Sequence, residues 1–211
     1  MKLIGNYLSP FTRRVAISLN ALGIPFELEP LSVVKEPERV RAYNPVVRIP
    51  ILILDRGEVL VESLAILDEI DQMVGPDRAL TPASGPERRH VMQMTAIALA
   101  STEKAQWAFY ERRVRPEEKV HLPFIEHNDR QVLGGMRFLD GLASRIGEEG
   151  WLAGTARLSQ ADITSAVAYT FANAVRPHLN LAGSVPHLAG FAARCERMPI
   201  FARAPLPQGI S

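Results

Sequence analysis

Apolar and polar positions change their period along the chain once, near residue 86. Before that point, short apolar runs surround one helix-spaced segment. Lys2 to Asn6 carries the run Leu3-Ile4 and reads as a strand. Val15, Ala16, Leu19 and Leu22 fall on one helical face, so Phe11 to Leu22 reads as a helix, ended by Gly23 and followed by Pro25. Phe26-Glu27-Leu28-Glu29 alternates apolar and acidic positions, which predicts a strand with one solvated face. Strand, helix and strand within about thirty residues make a βαβ unit with parallel strands.

The polar stretch Lys35 to Tyr43 has room for one or two helical turns, and Asn44-Pro45 marks a turn. Ile49-Pro50-Ile51-Leu52-Ile53-Leu54 and Val59-Leu60-Val61 flank Asp55-Arg56-Gly57-Glu58, the pattern of a β-hairpin. Pro50 opens its strand, because a proline in a central strand leaves the ladder short of a donor. Glu62-Ser63 precedes Leu64, Ala65, Ile66, Leu67, Ile70 and Met73, a helix for which Ser63 is the candidate cap. Prolines and glycines at Gly75-Pro76 and Thr81 to Pro86 then assign residues 76–86 to a linker.

Past Pro86 the strand pattern fades. Glu87 to about Val114 has helical spacing through Val91, Met94, Ile97 and Ala98. Glu117 to Ile146 also reads as helical, with Val132, Met136, Leu139 and Leu142 on one face and Pro123 as a kink or break near its start. Trp151 to Gly154 is a loop, Ser159 to about Ala174 a helix, and Pro186 to Arg197 a last clear helix. Pro199, Pro205 and Pro207 argue against a long final helix. The reading is α/β plus all-α: residues 1–75 form a βαβ-ββα domain, and residues 87–211 a helical one.

Composition narrows the function classes. The chain has 211 residues, 47% hydrophobic and 22% charged, as an ordinary globular protein has. A net charge of +1 supplies no general pull toward nucleic acid or anionic membrane. No apolar run approaches the length of a membrane span, and the apolar part of Met1 to Gly5 is too short for a secretory signal. One cysteine, Cys195, allows neither an internal disulfide framework nor a Cys-x-x-Cys pair, so a reducing cytoplasm is the expected location. Five scattered histidines form no metal-ligand pattern, and no metal is expected. Gly-x-Ser-x-Gly, P-loop and Rossmann glycine patterns are absent from the sequence. Gly134-Gly135 inside a helical stretch marks close packing or a bend, and Cys195 reads as a partly buried structural thiol.

The candidate chemistry sits at Tyr7-Leu8-Ser9-Pro10-Phe11. Ser9 stands where a strand stops and a helix begins. A serine there caps the helix. The same position also suits an anion, a thiolate among them, held against the unpaired N–H groups of the helix N-terminus.

Ser9-Pro10-Phe11-Thr12-Arg13-Arg14-Val15, Asn44-Pro45-Val46-Val47-Arg48-Ile49-Pro50-Ile51-Leu52 and Glu62-Ser63-Leu64-Ala65-Ile66, in this order and spacing, resemble the cytosolic glutathione S-transferase family. The resemblance covers nearly the whole chain. It implies a thioredoxin-like domain followed by an α-helical one, glutathione as co-substrate, a hydrophobic electrophilic small molecule as second substrate, and a homodimer. It further implies that Ser9 donates a hydrogen bond to the glutathione thiolate, with Tyr7, Thr12 and Asn6 as possible helpers. By alternation, Tyr7 lies on the same face of an extended segment as Ser9.

The resemblance also implies that Phe11 borders the glutathione site and that Pro50 is cis, so that Ile49 presents its backbone to the cysteinyl part of glutathione. Glu62 and Ser63 would hold the γ-glutamyl end. Arg48, and more weakly Lys35, would meet the glycyl carboxylate. Trp107, Phe109, Tyr110 and Arg113 are candidates for a second-substrate pocket between the domains, and Ser159 to Asp162 resembles the family's N-capping motif. The resemblance, carried by the three ordered motifs, implies conjugation of glutathione to electrophiles, and serine rather than cysteine at position 9 argues against disulfide chemistry. Glutathione-dependent isomerisation and a non-catalytic, protein-binding role are the alternatives.

Overall fold

The structure, a computed structural model, describes residues 1–147, 149–207 and 209. The chain divides into two compact units. Met1–Ala83 and Met198–Pro207 form the first, and Ser84–Arg197 belong to the second.

The first unit is built on a four-stranded sheet of β1 (Lys2–Ile4), β2 (Glu27–Glu29), β3 (Ile51–Ile53) and β4 (Val59–Val61), in the order β2-β1-β3-β4. β1 runs parallel to β2, with Leu3 opposite Leu28, and antiparallel to β3, with Leu3 opposite Leu52. β3 and β4 form the expected antiparallel hairpin. Leu3, Ile4, Ile51 and Leu52 are fully buried, and Ile4 and Ile51 pack with Leu31 and Val40.

β1 is shorter than the sequence pattern predicts. At Gly5 the chain turns at φ 144°, where a Cβ would lie 2.5 Å from Thr12 Oγ1. Only glycine fits both that backbone angle and that approach.

α1 (Pro10–Leu22) begins at the Ser9 cap and ends at Gly23 in the left-handed region, φ 68°. α2 (Pro37–Arg41) is one short turn. α3 (Ser63–Val74) departs from expectation at its first turn. Ser63 is the first helical residue, and the cap position is held by Glu62, at φ 66° and ψ 130° and without a side-chain capping bond. The last described turn of the unit, α9 (Pro199–Ala202), lies along α1: Asn20 Nδ2 donates to Ile200 O at 3.0 Å, and Arg13 Nε to Ala204 O at 2.8 Å.

The second unit is helical: α4 (Gly85–Arg113), α5 (Leu122–Ala143), α6 (Gln160–Val175), α7 (Leu181–Ser184) and α8 (Pro186–Glu196). Pro123 falls in the first turn of α5, where its missing N–H costs nothing, and a short 3₁₀ turn at Glu117–Lys119 precedes it. α5 lies close on α4 at Gly135, where a Cβ would sit 1.9 Å from Ser101 Oγ.

α6 is buried along most of its length. Its first turn carries the predicted capping box. Asp162 Oδ2 accepts from Ser159 N–H at 2.8 Å, and Asp162 Oδ1 accepts from Leu152 N–H at 2.8 Å, tying the 151–154 loop to the helix. Cys195 on α8 is fully rather than partly buried. Among the described residues no helix is long and apolar enough to cross a membrane.

Candidate functional site

The start of α1 supplies the first part of the site. Ser9 has extended backbone angles, and its Oγ accepts from Thr12 N–H at 3.3 Å. That bond occupies a lone pair and leaves the hydroxyl proton without a partner among the described residues. Asn6 fixes the turn that delivers Ser9. Its Oδ1 accepts from Ser9 N–H at 3.3 Å, and its Nδ2 donates to Leu31 O at 2.8 Å.

Tyr7 does not share an extended face with Ser9. Residues 7 and 8 form a turn closed by Ser9 N–H to Asn6 O at 3.1 Å, so alternation does not apply. Burial pushes the Tyr7 phenol up, so it stays protonated at neutral pH. The Thr12 side chain is fully buried beside Gly5, and Thr12 serves Ser9 through its backbone N–H.

The loop before β3 supplies the second part. Asn44, buried and read from sequence only as a turn marker, donates through Nδ2 to Arg48 O at 3.0 Å and accepts from Val46 N–H at 3.0 Å. It sets the path of Val46 to Arg48, including Val47 at φ 54°. The Ile49-Pro50 bond is cis. The N–H and C=O of Ile49 have no partner among the described residues, so an extended ligand can pair with them as an added strand.

The start of α3 supplies the third part. Glu62 is held in the left-handed region of φ, which costs a non-glycine residue about 1–3 kcal/mol and is typical of functional positions. Its Oε1 lies 3.6 Å from Arg48 Nε, and Arg48 Cζ sits 5.8 Å from the centre of the Phe11 ring. Ser63 is buried, and its Oγ accepts from Arg14 Nη1 at 3.1 Å.

Arg14, to which the sequence alone assigns no role, is 1% exposed, and its Nε and Nη2 have no hydrogen-bond partner among the described residues. Burial pushes its guanidinium down to about 9, still high enough to keep the charge at neutral pH. Phe11–Arg48, Arg48–Glu62 and Arg14–Ser63 therefore join the three motifs within one unit. Lys35 is exposed on its own loop.

The second unit holds an open cleft of about 980 Å³ at the C-terminal end of α4 and the N-terminal end of α5. Phe109 and Arg113 line it; Trp107 and Tyr110 do not. Trp107 is 57% exposed, and Tyr110 packs on Phe109 with ring centres 5.9 Å apart. No group of three or more His, Cys, Asp or Glu side chains that could hold a metal occurs among the described residues.

Chemically, the first unit offers a hydroxyl donor at a helix N-terminus, an unpaired backbone edge, and a second helix N-terminus backed by a buried cation. Together these suit an extended, thiol-bearing anion.

Comparison with known proteins agrees. The sequence family described as "Glutathione S-transferase, N-terminal domain" matches residues 3–78. Glutathione S-transferase U3 of Arabidopsis thaliana is 43% identical over 153 residues, 66% of this chain and 67% of that protein. The GST-like protein YibF of Escherichia coli is 34% identical over 99 residues, a match that spans 46% of this chain and about half, 48%, of the relative. A glutathione S-transferase of Methylobacterium radiotolerans, solved in complex with glutathione sulfonate, superimposes with a TM-score of 0.88 at 26% identity, covering 100% of this chain and 97% of that one. The chain belongs to the cytosolic glutathione S-transferase family.

Proposed function

We propose that the protein is a glutathione transferase that conjugates the glutathione thiolate to hydrophobic, electrophilic small molecules. The observation that carries this reading is shared by Ser9 and Ser63. Each hydroxyl accepts one hydrogen bond from within the fold and keeps its own proton for a ligand. Ser9 donates to the sulfur and Ser63 to the γ-glutamyl carboxylate. Ile49 pairs with the cysteinyl backbone, Glu62 accepts from the γ-glutamyl ammonium, and Arg48, stacked on Phe11, meets the glycyl carboxylate.

A free thiol has a pKa of about 8.5, and each unit of lowering takes about 1.4 kcal/mol of preference for the thiolate. One hydroxyl hydrogen bond and the N-terminus of α1 are of that size. Ser9 keeps its proton throughout. The sulfur lone pair forms a C–S bond, and the leaving group departs with the electrons of the bond that breaks. Trp107, Tyr110 and Arg113 are proposed to contact the second substrate.

We assign the protein a homodimer, supported by apolar side chains left exposed on β4 and α3 (Val59, Leu64 and Met73) and on α4 and α5 (Met92 and Phe138). A reducing cytoplasm suits its single buried thiol.

The test is retention on immobilised glutathione followed by turnover of an aromatic halide. Ser9→Ala is expected to lower kcat about tenfold or more while leaving glutathione affinity nearly unchanged. Unchanged turnover in Ser9→Ala would remove Ser9 as the thiolate stabiliser. No retention and no turnover across a broad electrophile panel would favour a non-catalytic binding role.

A further inference from the structure

We propose, resting on the glutathione reading above, that Arg48 and Glu62 form a latch across the site. A ligand carrying both an ammonium and a carboxylate opens it, and a ligand carrying one charge alone works against it.

Two side chains assigned to opposite ends of glutathione meet each other. Glu62 Oε1 lies 3.6 Å from Arg48 Nε, and neither side chain has another ion pair or hydrogen bond among the described residues. Arg48 is the partner of the glycyl carboxylate, and Glu62 of the γ-glutamyl ammonium. A tripeptide laid out as an added strand on Ile49 spans about 10 Å between its ends. One pair 3.6 Å long cannot receive both ends at once, so the guanidinium leaves the Glu62 carboxylate as the ligand seats.

Both partners are held in place by the fold. The main chain of Arg48 is fixed by the bond from Asn44 Nδ2 to its carbonyl oxygen, at 3.0 Å. Its guanidinium carbon sits 5.8 Å from the centre of the Phe11 ring, and Phe11 is itself buried. Glu62 stands between β4 and α3 at φ 66°, a backbone set by the two elements it joins.

The pair is also weak enough to open. Its side chains are 44% and 51% exposed. A pair so well hydrated shifts an equilibrium by about twofold to fivefold.

Specificity follows from the charges. An ammonium arriving at Glu62 replaces the guanidinium, and the released guanidinium takes the carboxylate bidentately. Each end of glutathione thus prepares the site for the other, a positive coupling. A ligand with the carboxylate alone leaves Glu62 without a cation. A ligand with the ammonium alone leaves Arg48 without an anion.

The experiment is calorimetric titration of the full chain with three probes that share one apolar anchor. They are S-hexylglutathione, N-acetyl-S-hexylcysteinylglycine, which lacks the ammonium, and the glycinamide of the second, which lacks both charges. Glu62→Gln keeps the shape of the side chain and removes the charge that holds Arg48. It is expected to weaken S-hexylglutathione, to tighten N-acetyl-S-hexylcysteinylglycine about twofold to fivefold, and to leave the glycinamide unchanged. Added salt should shrink the gain. In an Arg48→Ala background, Glu62→Gln is expected to give no gain.

Equal affinity of wild type and Glu62→Gln for the acetylated carboxylate, or its failure to bind either, would overturn the latch and leave glutathione binding standing. A gain that persists in Arg48→Ala would also overturn it, because plain repulsion between Glu62 and the probe would then account for the effect. Failure of the wild type to bind S-hexylglutathione would overturn the glutathione reading, and the latch with it.

Discussion

Arg14 Nη1 donates to Ser63 Oγ at 3.1 Å, and both side chains are buried. The bond joins the second turn of α1 to the first residue of α3. It also sets the direction of the serine, because a hydroxyl that accepts from Arg14 must aim its own proton elsewhere. The remaining guanidinium nitrogens, Nε and Nη2, have no hydrogen-bond partner among the described residues, so a positive charge is held behind the start of α3 with no ion pair among those residues.

A buried cation of this kind is a poor contributor to stability and a good one to anion binding. Arg14→Met is therefore expected to leave the melting temperature unchanged or raise it, while weakening glutathione about fivefold to tenfold. The informative comparison is glutathione against its analogue lacking the γ-glutamyl α-carboxylate. The wild-type preference for glutathione should shrink in Arg14→Met. If the two ligands lose affinity equally, Arg14 does not act through that carboxylate.

Asp162 accepts from two backbone N–H groups, Ser159 and Leu152, at 2.8 Å each. Asp162→Ala strands both donors and is expected to cost about 2–4 kcal/mol in urea unfolding, against about 1 kcal/mol for Ser159→Ala. Turnover per folded molecule should hardly change.

Asp162 and Asp129, two buried carboxylates of the helical unit, should respond to acid in opposite ways. Burial raises Asp162 above its ordinary value, so its folded form holds a proton more readily than its unfolded form, and its contribution falls as pH rises through that window. Asp129 is held low, so its contribution is present above about 3.8 and is lost as pH falls through the folded value. Asp129→Asn should cost about 3–5 kcal/mol near neutrality by leaving Arg176 unpaired, and should flatten the loss of stability in acid. An unchanged acid slope would mean that another carboxylate controls it.

Cys195 is fully buried, and burial pushes its thiol up to about 12. A disulfide exchange reagent at pH 8 is expected to leave it untouched in the folded protein and to titrate one thiol in denaturant. The same shift gives stability that is full below about pH 8.5 and is lost as pH rises toward 12.

Gly134 and Gly135 read alike in sequence but not in space. A Cβ at Gly135 meets Ser101 Oγ at 1.9 Å, whereas one at Gly134 meets nothing within 4 Å. Gly135→Ala should destabilise by about 1–3 kcal/mol, and Gly134→Ala should stabilise by about 0.5–1 kcal/mol. Thermal melts of the two variants separate a packing role from a bend.

What could be read from sequence was local. Ser9 before Pro10, the hairpin around Gly57 and the box from Ser159 to Asp162 announce themselves because cap, turn and partner lie within a few residues. Ser63 was legible as a helix start, but not its displacement by one position, which follows from the unusual backbone of Glu62. Arg13 and Arg14 were the least legible. Adjacent arginines suggest a solvated surface, yet both are 1% exposed. Their partners explain the burial and lie 191 and 49 residues away, at Ala204 and Ser63, where no local pattern points.

The hydrogen bond from Arg13 to Ala204, together with the fully buried Phe201, has a consequence for biosynthesis. A chain emerging from the ribosome presents residues 1–83 early, but it lacks the segment that covers α1. Until residues 198–207 appear, the Arg13 guanidinium lacks its bond to Ala204 and an apolar face lacks the cover of Phe201. The glutathione-binding unit is therefore completed last, although nearly all of it is made first. A nascent chain stalled before residue 198 should be far more open to protease at α1 than the released protein.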